Sequence, residues 1–380
     1  MYDLGKKQNP YGDDKLHDAC GIFAVMSRSG RTFSGEIPIR AMENMHDRGN
    51  GLGGGYAAYG IYPGWPHLYA FHMMFEHKSA KAETEKYLHQ FFSSMDGEEI
   101  PTRPHPGISS APILYRYFLG PNHHLLNGLS EDDFVVQRVM HINQKIDGAF
   151  VFSSGKNMGV FKAVGHTEDV GRFYRLEDYE AYCWTAHSRF PTNTQAWWGG
   201  AHPFSTLDWT VVHNGEISSY GSNRNFLEMH GYYCTMHTDT EVITYAVDLL
   251  ARRHGLPIDM VCKVMAPPLW RDIDRMPKAE KDLYTTLRVI YGPLLMNGPF
   301  SIVLAHQGEM IALGDRIRLR PLVAAEKDDA VYIASEEAPI RLVEPKLDRV
   351  WIPKGGEPVI VRLDDAAMAI AHPEGRSAVK

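Results

Sequence analysis

Cys20 stands where a polar stretch gives way to the short apolar run Cys20-Gly-Ile-Phe-Ala-Val-Met26. A thiol is a good nucleophile, and on a residue with a free α-amino group, of reference pKa about 7.7–8.0, it has a base of its own. Four more groups of reactive or polar residues follow in order: His187-Ser-Arg-Phe-Pro-Thr-Asn-Thr194, Ala201-His-Pro-Phe204, Val212-His-Asn-Gly-Glu-Ile217 and Thr238-Asp-Thr-Glu-Val242. Taken singly, each has an ordinary explanation. A cysteine before a strand is usually a buried structural thiol, an Asn-Gly pair a hairpin turn, an arginine in a turn a solvated charge, and Asp239 a helix cap.

Their joint order is far more specific. The five motifs resemble the glutaminase domain of the class II, N-terminal-nucleophile glutamine amidotransferases. The resemblance runs from Cys20 to about Arg341, with Gly314-Asp-Arg-Ile-Arg-Leu-Arg-Pro321 and Ala334-Ser-Glu-Glu337 matching later landmarks. Within that family the phrases RFPTNT and HNGEISS are most similar to the amidotransferase portion of glutamate synthase, which shares Phe190 and Asn193 where many members have Trp and His. His46-Asp-Arg-Gly49 resembles the family's HRG turn with one residue inserted.

The resemblance implies roles. Cys20 becomes the nucleophile once residues 1–19 are removed and its amine is free. Asn214, through its side chain, and Gly215, through its backbone N–H, stabilise the oxyanion of the tetrahedral intermediate. Glutamine carries an α-carboxylate and an α-ammonium, which call for a planar bidentate cation and a nearby anion; by resemblance these are Arg189 and Asp239, with Thr192 and His202 lining the pocket.

Around these residues the chain must build a core, and 380 residues with 44% hydrophobic and 22% charged side chains are enough to bury one without disulfides or metals. A net charge of -7 gives no general attraction to nucleic acid or an anionic membrane. The four cysteines, Cys20, Cys183, Cys234 and Cys262, form no CxxC pair, which fits a reducing, cytoplasmic setting. Neither a signal peptide nor a membrane-spanning apolar stretch is visible.

Residues 1–19 are polar and aperiodic and read as a leader. Apolar spacing predicts helices over 37–45, 78–92, 133–146, 240–253 and 278–291, with short strands at 20–26, 53–62, 68–75, 149–153, 159–163, 181–186 and 209–213. Residues 93–121, rich in Pro, Gly and His, read as a surface excursion; 298–362 read as mostly sheet, and the last 18 residues as loosely held. Many short strands with few crossover helices predict an α+β fold with antiparallel sheets. The resemblance sharpens this to a four-layer αββα sandwich of the N-terminal-nucleophile hydrolase type. The expected organisation is a leader (1–19), one amidotransferase domain (20–362) and a C-terminal tail (363–380).

Other signals do not support a cofactor. Gly49-Asn-Gly-Leu-Gly-Gly54 contains GxGxxG but follows a helical pattern where a dinucleotide site needs a strand. The 19 histidines, His67, His72, His77, His123 and His124 among them, show no HExxH spacing, so no metal is expected. Glutaminases of this class hand ammonia to a synthase site, and the 39 residues after Arg341 are too short for one. The resemblance therefore implies a hetero-oligomer with a partner subunit carrying FMN and an iron–sulfur cluster, as in a split, archaeal-type glutamate synthase or an N-methylglutamate synthase. Two alternatives stay open: a stand-alone amidase of the same class acting on another amide, and a non-catalytic interaction subunit that keeps fold and leader.

Overall fold

The computed structural model describes residues 20–190, 196–236 and 238–371. Its centre is a seven-stranded sheet in the order Arg349–Trp351, Val323–Lys327, Ala330–Ala334, Gly21–Ser27, Cys183–Ser188, Gly54–Tyr59 and Met158–Ala163. A second sheet runs Phe204–Thr206, Trp209–Gly215, Phe300–His306, Glu309–Gly314 and Val359–Arg362. Every pairing in both is antiparallel.

The two-residue period of a strand explains how the sheets stack. Val212, Val303, Ala305 and Ala312 of the second sheet pack into one core with Ile22, Ala24 and Met26 of the first. Their neighbours Val211, Ile302, Leu304, Ile311 and Leu313 face the other way, into a core shared with Val242, Ala246 and Val261. These last lie on the helices Glu241–Val247 and Ile258–Met265. On the far side of the first sheet lie the helices Glu36–Asn44, Thr167–Phe173 and Glu337–Val343, which bury Ile39, Val170 and Ile340. The order of layers is helix, sheet, sheet, helix, the αββα sandwich expected.

Two expectations about elements change. Residues 93–121 are largely strand: Phe92–Glu99 and Ile113–Pro121 pair with each other in a third, four-stranded sheet completed by Tyr69–Phe75 and Ala149–Ser153. Phe92–Glu99 sits at that sheet's edge with most residues after Phe92 outside the core, so no apolar alternation marks it. Within the last 18 residues, Asp365–Ala371 form a helix whose Ala367 is buried against the turn at Gly30. The expected helix over 240–253 is present as Glu241–Val247, continued by a wider π turn to Arg253. Among the described residues no helix is long and apolar enough to cross a membrane.

At the outer end of the hairpin joining Phe300–His306 to Glu309–Gly314, the His306 ring packs against Trp209, tilted by 35° with ring centroids 4.0 Å apart. Its Nε2 lies 3.0 Å from Glu309 and its Nδ1 3.5 Å from Asp208. Burial opposes the charged ring, but the two carboxylates win and hold its pKa at about 9, above the ordinary 6.5. A folded-state pKa raised in this way contributes stability that is complete below about pH 6.5 and is lost as pH rises through 9. The size is on the order of 3 kcal/mol. Urea midpoints measured at pH 6.5 and 9.5 should therefore fall for the native protein and much less for His306→Gln; equal losses would remove this ion pair from the stability account.

Candidate active site

Cys20 immediately precedes the strand Gly21–Ser27, at the middle of the first sheet, where both neighbouring strands hold it. In the antiparallel pairing Gly21 faces Ser188, so the chain leaving that strand brings Arg189 and Phe190 beside the thiol. The Phe190 N–H donates to Sγ at 3.3 Å. Burial raises the thiol's pKa; that N–H and the guanidinium groups of Arg189 and Arg320 pull it down, and Asp239 pushes it up. Burial dominates and the sulfur stays protonated, so it needs a base to become a nucleophile.

The HDRG turn reaches the same residue in spite of its extra position. Arg48 Nε donates to the Cys20 carbonyl at 3.2 Å, and its other end pairs with Glu336. Arg189 is almost fully buried, its backbone N–H donating to Gly53 O at 2.9 Å. Desolvation lowers its pKa, while the proximity of Cys20 and Asp239 opposes the shift. A cation, a carboxylate and a thiol thus lie within electrostatic reach of one another.

Asn214 and Gly215 end the strand Trp209–Gly215, opposite Ser301 and Phe300. Asn214 is fully buried and its Nδ2 donates to Ser335 Oγ at 3.4 Å. The same hydroxyl accepts the Ile22 N–H at 3.1 Å, and the Ser335 N–H donates back to Ile22 O at 3.0 Å. Ser335 thereby ties the asparagine to the second residue beyond Cys20. Gly215 has φ +141°, and a Cβ there would stand 1.9 Å from Pro299 O, so no other residue fits without moving the chain.

Asp239 is no helix cap. The cap position of Glu241–Val247 is Thr240, and Asp239 instead accepts the Ile217 N–H at 2.7 Å, joining the TDTE segment to HNGEI. Behind it His202 Nε2 and His213 Nδ1 both meet Thr240 Oγ1, at 2.8 and 2.9 Å. His187 Nε2 pairs with His213 O at 2.8 Å, and its ring lies 3.9 Å from that of His202. Burial lowers all three pKa values, that of His187 to about 3, so these rings are neutral supports. His202 touches the cradle through Thr240. Thr192 lies outside the described residues, as does the whole leader, residues 1–19.

Of the residues named from sequence, Cys20, Arg189, Thr192, His202, Asn214, Gly215 and Asp239, the structure sets Arg189 and Asp239 within electrostatic reach of Cys20 and links Asn214 to Ile22 through Ser335. Sequence reasoning left the role of Arg48 open because of the residue inserted in its turn, and it passed over Thr240, Arg320 and Ser335, although all three sit inside quoted motifs. It also passed over Lys162, a buried lysine in the apolar strand Met158–Ala163. Burial lowers the Lys162 pKa to about 7, with Glu241 opposing, and its ammonium donates to Gly199 O at 2.9 Å. A charged residue inside a buried strand was the signal available.

The antiparallel αββα sandwich thus sets a thiol at the head of a central strand, within electrostatic reach of a buried guanidinium. Residues 107–367 match the family Glutamine amidotransferases class-II, and the chain belongs to that family. An uncharacterized protein of Archaeoglobus fulgidus is 57% identical over 365 residues, which cover 94% of this chain and 96% of that one. The glutamine–fructose-6-phosphate aminotransferase (isomerizing) of Vibrio cholerae is 27% identical over 44% of this chain and only 25% of its own length. Among solved structures, a glutamine phosphoribosylpyrophosphate amidotransferase from B. subtilis matches with a TM-score of 0.45 and 15% identity, covering 90% of this chain and 47% of that one.

Proposed function

We propose that the chain is a glutaminase subunit that hydrolyses L-glutamine to glutamate and ammonia and passes the ammonia to a separate synthase subunit of the glutamate synthase kind, on which FMN and iron–sulfur chemistry resides. The bond between Ala19 and Cys20 is cleaved first, freeing the amine. That amine takes the thiol proton as sulfur attacks the carboxamide carbon. The oxyanion is held by the Asn214 side chain and the Gly215 N–H, and collapse expels ammonia with the proton returned from the amine. Water, deprotonated by the same amine, then splits the thioester, so glutamine and water become glutamate and ammonia.

The observation that carries this reading is the convergence on one protonated thiol of a buried guanidinium and a carboxylate, Arg189 and Asp239, suited to the two charged ends of an amino acid. It favours glutamine over amides that lack those ends. Replacing Arg189 by alanine removes a charge-assisted, bidentate contact of the ground state as well as the transition state. KM for glutamine should rise roughly 10²-fold, with a smaller change in kcat. Unchanged glutamine kinetics in a folded Arg189→Ala protein would remove Arg189 from glutamine recognition, and with it the observation that favours glutamine over the amides a stand-alone amidase would take.

A further inference from the structure

The turn His46–Arg48 carries a second set of side chains beside the arginine that binds the Cys20 carbonyl. His46 Nδ1 pairs with Glu168, in the first turn of the helix Thr167–Phe173, and its ring stacks on His166, the residue that precedes that helix, at 4.1 Å and 20°. One ligand atom from each of His46, His166 and Glu168 lies within 4.8 Å of the other two. His166 Nδ1 is buried and meets no hydrogen-bond partner among the described residues. None of these residues takes part in the proposed glutamine chemistry.

We propose that His46, His166 and Glu168 form a binding site for a divalent transition cation of the zinc type. Two imidazoles and one carboxylate are a donor set that suits zinc and leaves a fourth position to water; magnesium and calcium prefer all-oxygen shells. Bonds of about 2.1 Å to a tetrahedral ion separate its ligand atoms by roughly 3.4 Å. To bind one ion the donor atoms, now within 4.8 Å of one another, and the stacked imidazoles must turn toward a common point. His46, with 49% of its side chain exposed, is the ligand with room to turn, and on binding it would exchange its contact with Glu168 for the ion.

The site's place in the fold gives it a structural effect. His46 and Arg48 share one turn, so the ion would fasten that turn to the helix Thr167–Phe173. Thr167 at the head of this helix donates to His187 O, on the strand that ends beside Arg189. Two supports of the thiol, one through Arg48 and one through His187, would be clipped together. Because the ligands are separated by 122 residues between His46 and Glu168, no local spacing announces them.

The test uses the full chain stripped of metal with a chelator, titrated with zinc ions in a calorimeter and then loaded with cobalt ions for visible spectroscopy. One equivalent should bind saturably, and the cobalt form should show the intense ligand-field bands of a tetrahedral site. His46→Ala and Glu168→Gln, each checked for an unchanged circular dichroism spectrum, should lose more than the roughly 10–100-fold in affinity that removal of a residue merely orienting a ligand costs. A double His123→Ala, His124→Ala protein, lacking an exposed histidine pair elsewhere, should bind as the native chain does. The proposal is overturned by the absence of saturable binding, by its survival in both ligand variants, or by its loss in the histidine-pair control. Glutaminase activity enters none of these readouts, so failure here leaves the glutaminase reading intact and the reverse holds too.

Discussion

Cys20→Ala should abolish glutamine hydrolysis, with a loss of at least about 10⁴-fold in kcat, because the thiol is the only bond-forming group in the proposed cycle. The same loss should attend any molecule in which Ala19 still acylates Cys20. The thiol pKa is raised by burial in spite of the Phe190 N–H and two guanidinium groups. The folded site therefore does not hold a ready thiolate, and proton removal falls to the α-amine, which an amide bond would disable. In preparations processed to different extents, activity should track the fraction whose intact mass corresponds to residues 20–380. It should also rise with pH as the amine loses its proton, near its reference range of about 7.7–8.0. A preparation with the mass of the full 380-residue chain and full activity would defeat the proposed cycle.

What the sequence revealed and what it concealed follow from how far apart the interacting residues lie. The strand that follows Cys20 was legible because a polar stretch meets an apolar run within a few residues, and the strand that Asn214-Gly215 close because its apolar run has the length of a strand. Periodicity discloses only an α+β fold with antiparallel sheets; the stacking of sheet on sheet was legible through the family resemblance. Ser335 was quoted as part of a landmark, yet nothing local discloses that its hydroxyl accepts from Ile22, 313 positions away, while also receiving Asn214. Asp239 looked like a cap because its neighbours are those of a cap; only the folded chain turns its carboxylate to Ile217. The edge strand Phe92–Glu99 escaped notice for a related reason: backbone pairing to Ile113–Pro121 defines it, with no apolar face to mark it.

The Asn-Gly pair separates catalysis from architecture. Asn214→Ala removes one of the two proposed oxyanion donors, a change that typically costs about 10²–10³ in kcat, and KM should move little because such a donor acts on charge that develops only after attack. Stability should also drop, by about 1–3 kcal/mol, since Ser335 loses a partner inside the core. Gly215→Ala acts differently. A methyl group built on a backbone at φ +141° meets Pro299 O at 1.9 Å, so the strands Trp209–Gly215 and Phe300–His306 must part at their shared end. That displacement turns the second donor, a backbone N–H, away from the oxyanion and loosens Asn214 with it. Gly215→Ala should therefore lose at least as much kcat as Asn214→Ala and melt at a lower temperature. The double variant should be no worse than about the poorer single one, because two donors serving one oxyanion are not independent. Steady-state kinetics and thermal unfolding of the three proteins provide the comparison. Full activity in Gly215→Ala would mean that its N–H does not face the reacting oxygen, and the oxyanion would then need a different second donor.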